Sequence, residues 1–445
     1  MSEQKKGRAW VYTASVKGRF QRLHRLSGLA LQLILFVTPW VTIAGYPAFR
    51  LDLPGRRLFA LGATFTPRDT IFLVLLLLFG AFSLFLFTSL FGRLWCGYAC
   101  PQTVFLEEWV RPIEKVIEGD RARRMARDRG PWTFDKAWRK VLKNTLYAAL
   151  AVVVGATFMS WFVDPRLLWT GEASGVAYGL TGFFSAVMFA DFSWFREQFC
   201  NYLCPYARFQ GALTDDESKV VAYNVVLGEP RRTRGDAAAT GACIDCGKCV
   251  AVCPQGIDIR KGYQLECVNC ARCVDACEGV MDKLGHEPLI RYTTVAADQG
   301  KEARLLRPRT VLYSAVLFLI ATVFTVQMTD RHDIEGAVNR VPGALYTLDA
   351  DGWVRNTFLL EVTNNHGVPG GDPDTISVSI EGLPDAQVII PPIALGHTES
   401  TRMPLVVRVP PDTQIGRTAN IEVHLRTEHD ELVLHSTFKN ASPES

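Results

Sequence analysis

Long apolar runs alternate with strongly polar segments through the first three quarters of the chain. About 20 consecutive apolar residues cross a bilayer as a helix, so runs of this length predict transmembrane helices. The first run has a long apolar core and no small-residue cleavage site behind it, which favours a retained anchor over a cleaved signal peptide. The sequence predicts five spans in all, at 27–49, 70–92, 142–163, 176–195 and 311–327.

A different pattern begins after the fifth run. Short segments rich in β-branched residues recur at steps of about ten residues, with turn residues between them. The segments are WVRNTFLLEVTN, DTISVSIEG, AQVIIPPIAL, RMPLVVRVP, ANIEVHLRT and ELVLHSTF. Several short strands at such spacing are typical of an all-β sandwich. We expect an immunoglobulin-like sandwich over 328–445 that serves as a binding or docking domain, because no catalytic constellation is visible in it.

Charge divides the 445 residues at the same place. Residues 1–327 hold 40 Lys and Arg against 28 Asp and Glu, whereas residues 328–445 hold 8 against 17. Basic residues flank the apolar runs, as the anchoring of membrane helices requires. This distribution indicates a membrane partner and argues against a nucleic acid.

Lysines and arginines near the ends of the spans also predict sidedness, because cytoplasmic connections carry an excess of them. The four arginines of the segment 50–69 oppose the assignment, but the other connections outweigh them. The prediction places the N-terminus, 93–141 and 196–310 in the cytoplasm, and 50–69, 164–175 and the tail outside. All twelve cysteines then lie on the reducing side, which argues against structural disulfides.

A short cysteine motif occurs twice, each time at the end of an apolar run. The first copy is LWCGYACPQTVF, with Cys96 and Cys100, and the second is QFCNYLCPYARF, with Cys200 and Cys204. Proline is tolerated in the first turn of a helix, so each motif predicts a turn followed by a new amphipathic helix at the membrane surface. Two parallel copies imply a pseudo-two-fold axis along the membrane normal, which would bring the two cysteine pairs together.

Three interpretations of these four thiols remain open. They could be buried free cysteines that act as small apolar residues, or a thiol–disulfide relay with one pair per copy. They could also form a four-thiolate site, which suits Cu(I) or an iron–sulfur centre. Asp191, in the fourth predicted span, is an intramembrane carboxylate and therefore a further functional candidate, although a place at the membrane interface near Arg196 explains it equally well.

The strongest signal is a segment of eight cysteines. CIDCGKCVAVCPQ (243–255) and CVNCARCVDACEG (267–279) both have the spacing of bacterial two-cluster ferredoxins, in which the fourth cysteine of each motif binds the neighbouring cluster. Tetrahedral zinc is the alternative, but zinc does not require a third cysteine two residues on. The spacing predicts two [4Fe–4S] clusters, one bound by Cys243, Cys246, Cys249 and Cys277, the other by Cys267, Cys270, Cys273 and Cys253.

The fold class predicted from these patterns is a multi-domain membrane protein. It combines an α-helical transmembrane bundle of five spans, a two-[4Fe–4S] ferredoxin-like module and a C-terminal all-β immunoglobulin-like sandwich. The predicted order is a basic cytoplasmic N-terminus (1–26), a four-span region with both CxxxCP motifs (27–210), the ferredoxin domain (211–310), a fifth transmembrane helix (311–327) and an external β-sandwich (328–445).

The succession CGYACPQTVF, REQFCNYLCPYARFQ, CIDCGKCVAVCPQGIDIR and CVNCARCVDACEGVMDK, followed by a fifth span and a β tail, resembles the cytochrome c oxidase accessory protein family of the CcoG/FixG/RdxA type. The resemblance covers nearly the whole chain. It implies a polyferredoxin of the bacterial inner membrane that assists maturation of cbb3-type oxidase. It also implies a cupric reductase activity, which reduces Cu(II) to Cu(I) during copper delivery, with copper at Cys96, Cys100, Cys200 and Cys204.

The partners implied by the resemblance are oxidase assembly factors, copper carriers or transporters and an unidentified electron donor, with a homodimer as one possible state. Two other functions stay open. One is a non-catalytic assembly scaffold that holds copper. The other is a quinol-linked ferredoxin for a periplasmic reductase, because the first half is similar to the membrane ferredoxins of nitrate and nitrous-oxide respiration. Those proteins generally lack a fifth span and a β tail.

Overall fold

The computed structural model describes residues 10–43, 45–66, 69–232, 240–298, 304–329, 333–343, 345–365, 372–397, 399–413 and 415–441. The chain divides into two units. The first, called here the membrane–ferredoxin unit, comprises Met1–Val41, Phe49–Gly55 and Arg68–Thr322. The second, called the β unit, comprises Thr42–Ala48, Arg56–Pro67 and Val323–Ser445.

Four helices of the described residues are long and apolar enough to cross a membrane. They are Thr70–Phe91, Phe134–Met159, Gly175–Phe195 and Pro308–Thr329. Only 11% of the apolar window of the first and 6% of that of the last is buried by protein. Extensive exposed apolar surface of this kind is suited to contact with lipid, so the chain is a membrane protein.

The first predicted span differs from the structure. A helix runs over Arg19–Val37 and continues as a 3₁₀ turn at Thr38–Trp40, and the short strands Thr42–Ile43 and Tyr46–Pro47 follow. Its first two turns, RFQRLHR, are strongly basic, which shortens the apolar part. The five predicted spans are therefore matched by four helices that meet the length and hydropathy expected of a span, and the segment 27–49 is the exception.

The first and the last strand of the ferredoxin module pair with each other. The strands Val220–Tyr223 and Ile290–Thr293 pair antiparallel, so the segment between them forms one loop. Buried Val221, Val274 and Met281 pack with cysteines of both motifs, such as Cys249 and Cys267, in a single hydrophobic cluster. The helices and 3₁₀ turn of this segment are Val225–Gly228, Lys248–Ala251, Ile259–Lys261 and Arg272–Leu284.

Shorter helices connect the spans to the module. Arg111–Glu118 has one buried charged face, because Arg111, Glu114 and Glu118 are all buried. The proline-headed helix predicted after the first motif is present, although it is interrupted by a π turn. The remaining elements of this region are Leu94–Tyr98, Pro101–Phe105, the π turn Leu106–Val110, Arg121–Arg129, Pro165–Thr170, the π turn Phe199–Leu203, Pro205–Leu213 and Val295–Asp298.

The β unit contains two antiparallel sheets whose buried faces share one core. Strand Val354–Asn364 alternates strictly between buried and half-buried positions, so every second side chain enters the core. The prediction of an immunoglobulin-like sandwich is confirmed, and the proline pair in AQVIIPPIAL divides that segment into two strands. One sheet has the order Gln387–Ile389, Ser400–Val409, Val354–Asn364 and Ile334–Arg340, with Thr347–Leu348 beside Val354–Asn364. The other has the order Ile393–Leu395, Asp374–Glu381, Thr418–Arg426 and Glu431–Lys439.

Short strands before the second span also belong to the β unit. Arg57–Ala60 pairs antiparallel with Ala63–Phe65. The ring of Tyr46 lies 4.9 Å from that of His397, and Thr66 Oγ1 donates a hydrogen bond to Glu335. The connection between the first two helices therefore packs on the C-terminal sandwich.

Candidate metal centres

Two cavities divide the eight cysteines of the ferredoxin module. The first is lined by the thiols of Cys253, Cys267, Cys270 and Cys273, together with Cys249. The second is lined by Cys243, Cys246, Cys249 and Cys277. This division coincides with the two ligand sets predicted from the spacing, and the only thiol that borders both cavities is Cys249. We call Cys253, Cys267, Cys270 and Cys273 the inner cysteine set, and Cys243, Cys246, Cys249 and Cys277 the outer cysteine set.

The backbone explains how each loop curves around its cavity. Asp245 and Gly247 have φ angles of 50° and 65°, and Asn269 and Ala271 have φ angles of 53° and 56°. Left-handed residues at the same two positions of both motifs turn the chain sharply between consecutive cysteines. For a residue with a side chain this conformation costs about 1–2 kcal/mol. Asn269 offsets part of it, because its side-chain oxygen accepts from Val221 N–H at 3.2 Å.

The chemistry of these donors fits iron–sulfur clusters. Burial raises the pKa of the Cys249 and Cys267 thiols to about 11 and that of Cys270 to about 12. Without metal these thiols are neutral at neutral pH, and metal binding must displace their protons. Sets of four thiols around one cavity are the ligands that such clusters use.

The two CxxxCP motifs share an unusual backbone as well as a sequence. Gly92, one residue after the second-span helix, has φ 57° and ψ −138°, and Arg196, at the equivalent place after Phe195, has φ 54° and ψ −126°. In both copies the second cysteine precedes a helix that begins with proline. The repeat predicted from the sequence is therefore a repeat of structure.

The two pairs of membrane thiols lie close together. The pKa of Cys96 is raised to about 11, chiefly by burial and with smaller contributions from Cys100 and Cys204. Burial likewise raises the pKa of Cys200 to about 12, with added contributions from Cys100 and Cys96. Charges influence each other in this way only over short distances, so thiols of the two copies lie near one another. Among the described residues, no three of these four sulfur atoms lie within 4.8 Å of one another.

The first CxxxCP turn lies against the inner cysteine set. Cys96 packs with Val268 and Cys270 in one buried cluster. The Tyr98 hydroxyl donates to the Cys270 carbonyl oxygen at 3.3 Å. Cys96 is thus adjacent to residues that line the inner of the two cavities.

Polar side chains around Cys96 were not predicted from the sequence. Cys96 Sγ donates to Gln210 Oε1 at 3.0 Å, and Arg93 Nε donates to the same oxygen at 3.1 Å. Gln210 is fully buried. The only sequence signal for either residue is its position within a motif, because Arg93 lies three residues before Cys96 and Gln210 lies six after Cys204.

A network of buried ion pairs supports the turn of the second copy. Arg196 donates to both Glu114 oxygens, at 2.8 and 3.1 Å, and Arg124 also pairs with Glu114 at 2.5 Å. Arg272, beside the inner cysteine set, forms a buried ion pair with Glu107. Sequence alone offers no sign of these contacts, because the partners come from distant segments.

Asp191 is buried and partnered. Gln102, which follows the first CxxxCP motif, donates from Nε2 to both Asp191 oxygens at 2.9 Å and to the carbonyl oxygen of Arg196 at 2.9 Å. The carboxylate therefore joins the two copies of the repeat. This contact accounts for Asp191 structurally without assigning it a chemical role.

Family models match most of the chain. Residues 195–295 match a 4Fe-4S dicluster domain, residues 73–117 a 4Fe-4S binding domain, and residues 324–439 the IG-like fold at the C-terminus of FixG. These matches support iron–sulfur clusters and the β-sandwich. The match over 73–117 also includes Cys96 and Cys100.

Several known proteins are similar over most of their length. The nitrogen fixation protein FixG of Rhizobium meliloti (strain 1021) is 36% identical over 87% of this chain and 82% of its own. The protein RdxA of Cereibacter sphaeroides is 34% identical over 93% of both chains. A crystal structure of a FixG-related protein from Vibrio parahaemolyticus, with 20% identity and a TM-score of 0.22, matches 24% of this chain and 97% of that chain.

Proposed function

The chain belongs to the FixG/RdxA family, and from this premise we propose that it reduces Cu(II) to Cu(I) for the maturation of cbb3-type cytochrome oxidase. The family matches and the four apolar helices identify it as an iron–sulfur electron-transfer protein of a membrane. The proposal adds the substrate, the site and the process served. The observation that carries it is the contact between the first CxxxCP turn and the inner cysteine set.

In this proposal the eight ferredoxin cysteines hold the electron carriers. The inner set, Cys253, Cys267, Cys270 and Cys273, binds one [4Fe–4S] cluster, and the outer set, Cys243, Cys246, Cys249 and Cys277, binds the other. Such clusters supply transfer of single electrons when bound. Cys246 is exposed, whereas Cys270 is buried beside Cys96. Electrons therefore enter at the outer set from a soluble or membrane donor and leave from the inner set.

Copper is the substrate at Cys96, Cys100, Cys200 and Cys204. Sulfur ligands are soft and favour Cu(I) over Cu(II). One electron is gained by Cu(II) and one is lost by the reduced iron–sulfur protein, so the step balances without a further reactant. Release of Cu(I) then requires a carrier or assembly factor with thiol or thioether ligands of its own.

The proposed location is the bacterial inner membrane, with the ferredoxin module in the cytoplasm and the β unit in the periplasm. The helix Arg19–Val37 begins at the module, because Asp275 accepts from its first N–H groups. The chain that follows the helix packs on the C-terminal sandwich through Tyr46 and Thr66. These two contacts support this helix as the fifth span.

Two other functions make different predictions. A scaffold that only holds copper would bind Cu(I) without reducing Cu(II). A quinol-linked ferredoxin would be reduced by a quinol and would pass electrons to a periplasmic reductase. We favour copper reduction because Cys96, one of the four soft ligands of the proposed copper site, packs with Cys270 of the inner cysteine set.

The experiment uses the anaerobically purified full chain, reduced with dithionite and freed of excess reductant. Wild type should convert Cu(II) to Cu(I), scored with a Cu(I)-specific chelator. The double variant Cys96→Ser and Cys200→Ser should lose copper binding and most of the reduction while keeping the EPR signals of both clusters. His424→Gln in the β unit is the matched control and should leave the rate unchanged. Wild-type rates in the double variant would exclude the membrane thiols as the site.

A further inference from the structure

Arg93 is a buried cation whose hydrogen-bond acceptors in the described part of the chain are uncharged. Its residue is 3% exposed, and no carboxylate of the described residues lies within 4.0 Å of its guanidinium. It donates instead to the neutral Gln210 Oε1 at 3.1 Å and to the Leu265 carbonyl oxygen. Buried charges are normally paired, because the loss of hydration is otherwise uncompensated.

Arg93 contacts residues of two different centres. Its Nε and the Cys96 thiol donate to the same oxygen, Gln210 Oε1, at 3.1 and 3.0 Å. Its guanidinium also donates to the carbonyl oxygen of Leu265, two residues before Cys267 of the inner cysteine set. The guanidinium therefore lies between the proposed copper site and the proposed inner cluster.

The second copy of the repeat has the opposite charge at this position. Arg93 precedes Cys96 by three residues, and Glu197 precedes Cys200 by three. Glu197 is also buried, and its charge acts on Arg111 and Arg196. The first copy thus carries a buried cation where the second copy carries a buried carboxylate.

We propose that Arg93 is the shared counter-charge of the membrane-thiol site and the inner cysteine set, and that it raises the reduction potential of both. The proposal rests on the function proposed above. Thiolate centres are negatively charged, and each becomes more negative when it gains an electron. A fixed buried cation stabilises the reduced form of each, because net charge near a centre sets its potential. Arg93 is accordingly a positioning residue for the electron transfer and is not itself oxidised or reduced.

Two variants remove the free charge by different routes. Arg93→Gln deletes the cation. Gln210→Glu keeps the arginine but places a carboxylate 3.1 Å from its Nε, where it pairs with the cation. Arg93→Lys keeps the positive charge and should therefore retain the wild-type affinity for Cu(I) and the wild-type cluster potentials. Glu197→Gln removes a buried charge at the equivalent position of the other copy and is the matched control.

Two measurements on the full chain test the proposal: the affinity for Cu(I), by competition with a Cu(I) chelator, and the midpoint potential of each cluster, by EPR-monitored titration. Arg93→Gln and Gln210→Glu should each weaken Cu(I) binding about tenfold and lower the potential of one cluster by about 59 mV, the shift that corresponds to a tenfold change for one electron. Arg93→Lys and Glu197→Gln should stay near wild type.

The outcomes separate the proposal from its premise. If wild type binds no Cu(I) at the membrane thiols, the proposed function fails, and the cluster potentials alone decide the role of Arg93. If wild type binds Cu(I) but both charge-removing variants match it in affinity and potential, the role of Arg93 is excluded and the function stands. An equal effect of Glu197→Gln would also overturn the proposal, since any buried charge would then suffice. If Arg93→Gln does not retain its iron, the comparison of Gln210→Glu with wild type in the same two measurements decides the outcome.

Discussion

Gly97 lies so close to Val268 that a β-carbon at position 97 would stand 2.5 Å from the Val268 carbonyl oxygen. The same β-carbon would lie 3.1 Å from the backbone nitrogen and the Cα of Cys270. Backbone atoms cannot move aside as a flexible side chain can. The glycine inside the first CxxxCP motif therefore permits the contact between the membrane thiols and the inner cysteine set.

Gly97→Ala should separate the two centres. The added methyl group forces the turn away from the ferredoxin loop, and overpacking of this kind typically costs about 1–3 kcal/mol. We expect both clusters to remain, while electron transfer from the reduced protein to Cu(II) slows at least tenfold in stopped-flow measurements. Asn201, the equivalent residue of the second copy, already carries a side chain, so Asn201→Ala is the matched control and should react at the wild-type rate. Equal rates for Gly97→Ala and wild type would contradict the importance of this contact.

Asp275 caps the first helix from a distant part of the chain. Its two carboxylate oxygens accept from Phe20 N–H at 3.1 Å and Gln21 N–H at 2.8 Å. Asp275→Ala should destabilise this junction by about 0.5–2 kcal/mol, the usual value of a helix cap. Trypsin should then cleave faster after Lys17 in limited proteolysis. Asp275→Asn keeps an acceptor and should be milder, and Asp282→Ala, exposed on the same helix, should leave the cleavage rate unchanged.

The buried Glu114 predicts a dependence of stability on pH. Burial alone would raise its pKa, but Arg196 and Arg124 outweigh burial and hold the pKa below its usual value. A carboxylate with a lowered pKa in the folded state stabilises the protein above its unfolded pKa of about 4.3 and loses this contribution as pH falls through the folded value. Glu114→Gln leaves buried cations unpaired and should cost about 3–5 kcal/mol near pH 7.

Thermal unfolding in detergent at several pH values tests this prediction. The difference in melting temperature between wild type and Glu114→Gln should be largest near pH 7 and should narrow as pH falls below about 4. Asp135, an exposed residue that is paired with Arg139 at 2.8 Å, provides the control. Its replacement by Asn should change the melting temperature little at any pH, because exposed ion pairs are worth little. A pH-independent difference for Glu114→Gln would contradict the assignment.

Metal analysis tests the two ligand sets. We expect about eight iron atoms per chain, four in each cluster. Cys249→Ser should lose one cluster and destabilise the other, because Cys249 borders both cavities. Cys200→Ser should retain all the iron. Zinc in place of iron, with no EPR signal after dithionite reduction, would refute the cluster assignment.

Reporter fusions test the proposed topology. A periplasm-dependent reporter such as alkaline phosphatase should be active after residue 445 and inactive after residue 298, because the helix Pro308–Thr329 lies between them. A cytoplasm-dependent reporter should give the reverse result. A fusion after Arg50 should behave like the one after residue 445 if Arg19–Val37 is the fifth span. Activity of a phosphatase fusion after residue 298 would reverse the proposed orientation.

Local patterns in the sequence were sufficient for much of this protein. Continuous apolar runs predicted four helices that meet the criteria for a span, and β-branched segments predicted the sandwich. The duplication of the CxxxCP motif predicted a structural repeat, which the matching backbone at Gly92 and Arg196 confirms. These features depend on residues that are a few positions apart, so they can be predicted from the periodicity and spacing of the sequence. The first helix was placed too late in the chain because its basic first turns pack on the ferredoxin module, a contact that hydropathy does not register.

The tertiary structure alone decided which groups meet. Tyr98 and Cys270 are 172 positions apart, and Arg93 and Gln210 are 117 apart, yet each pair forms a hydrogen bond. The packing of helices that are distant in the chain decides which cysteine set lies beside Cys96. It also decides where Arg93 is buried. The sequence contains the residues, but the free energy of burial and of ion pairing is set by neighbours that only the folded chain brings within a few ångströms.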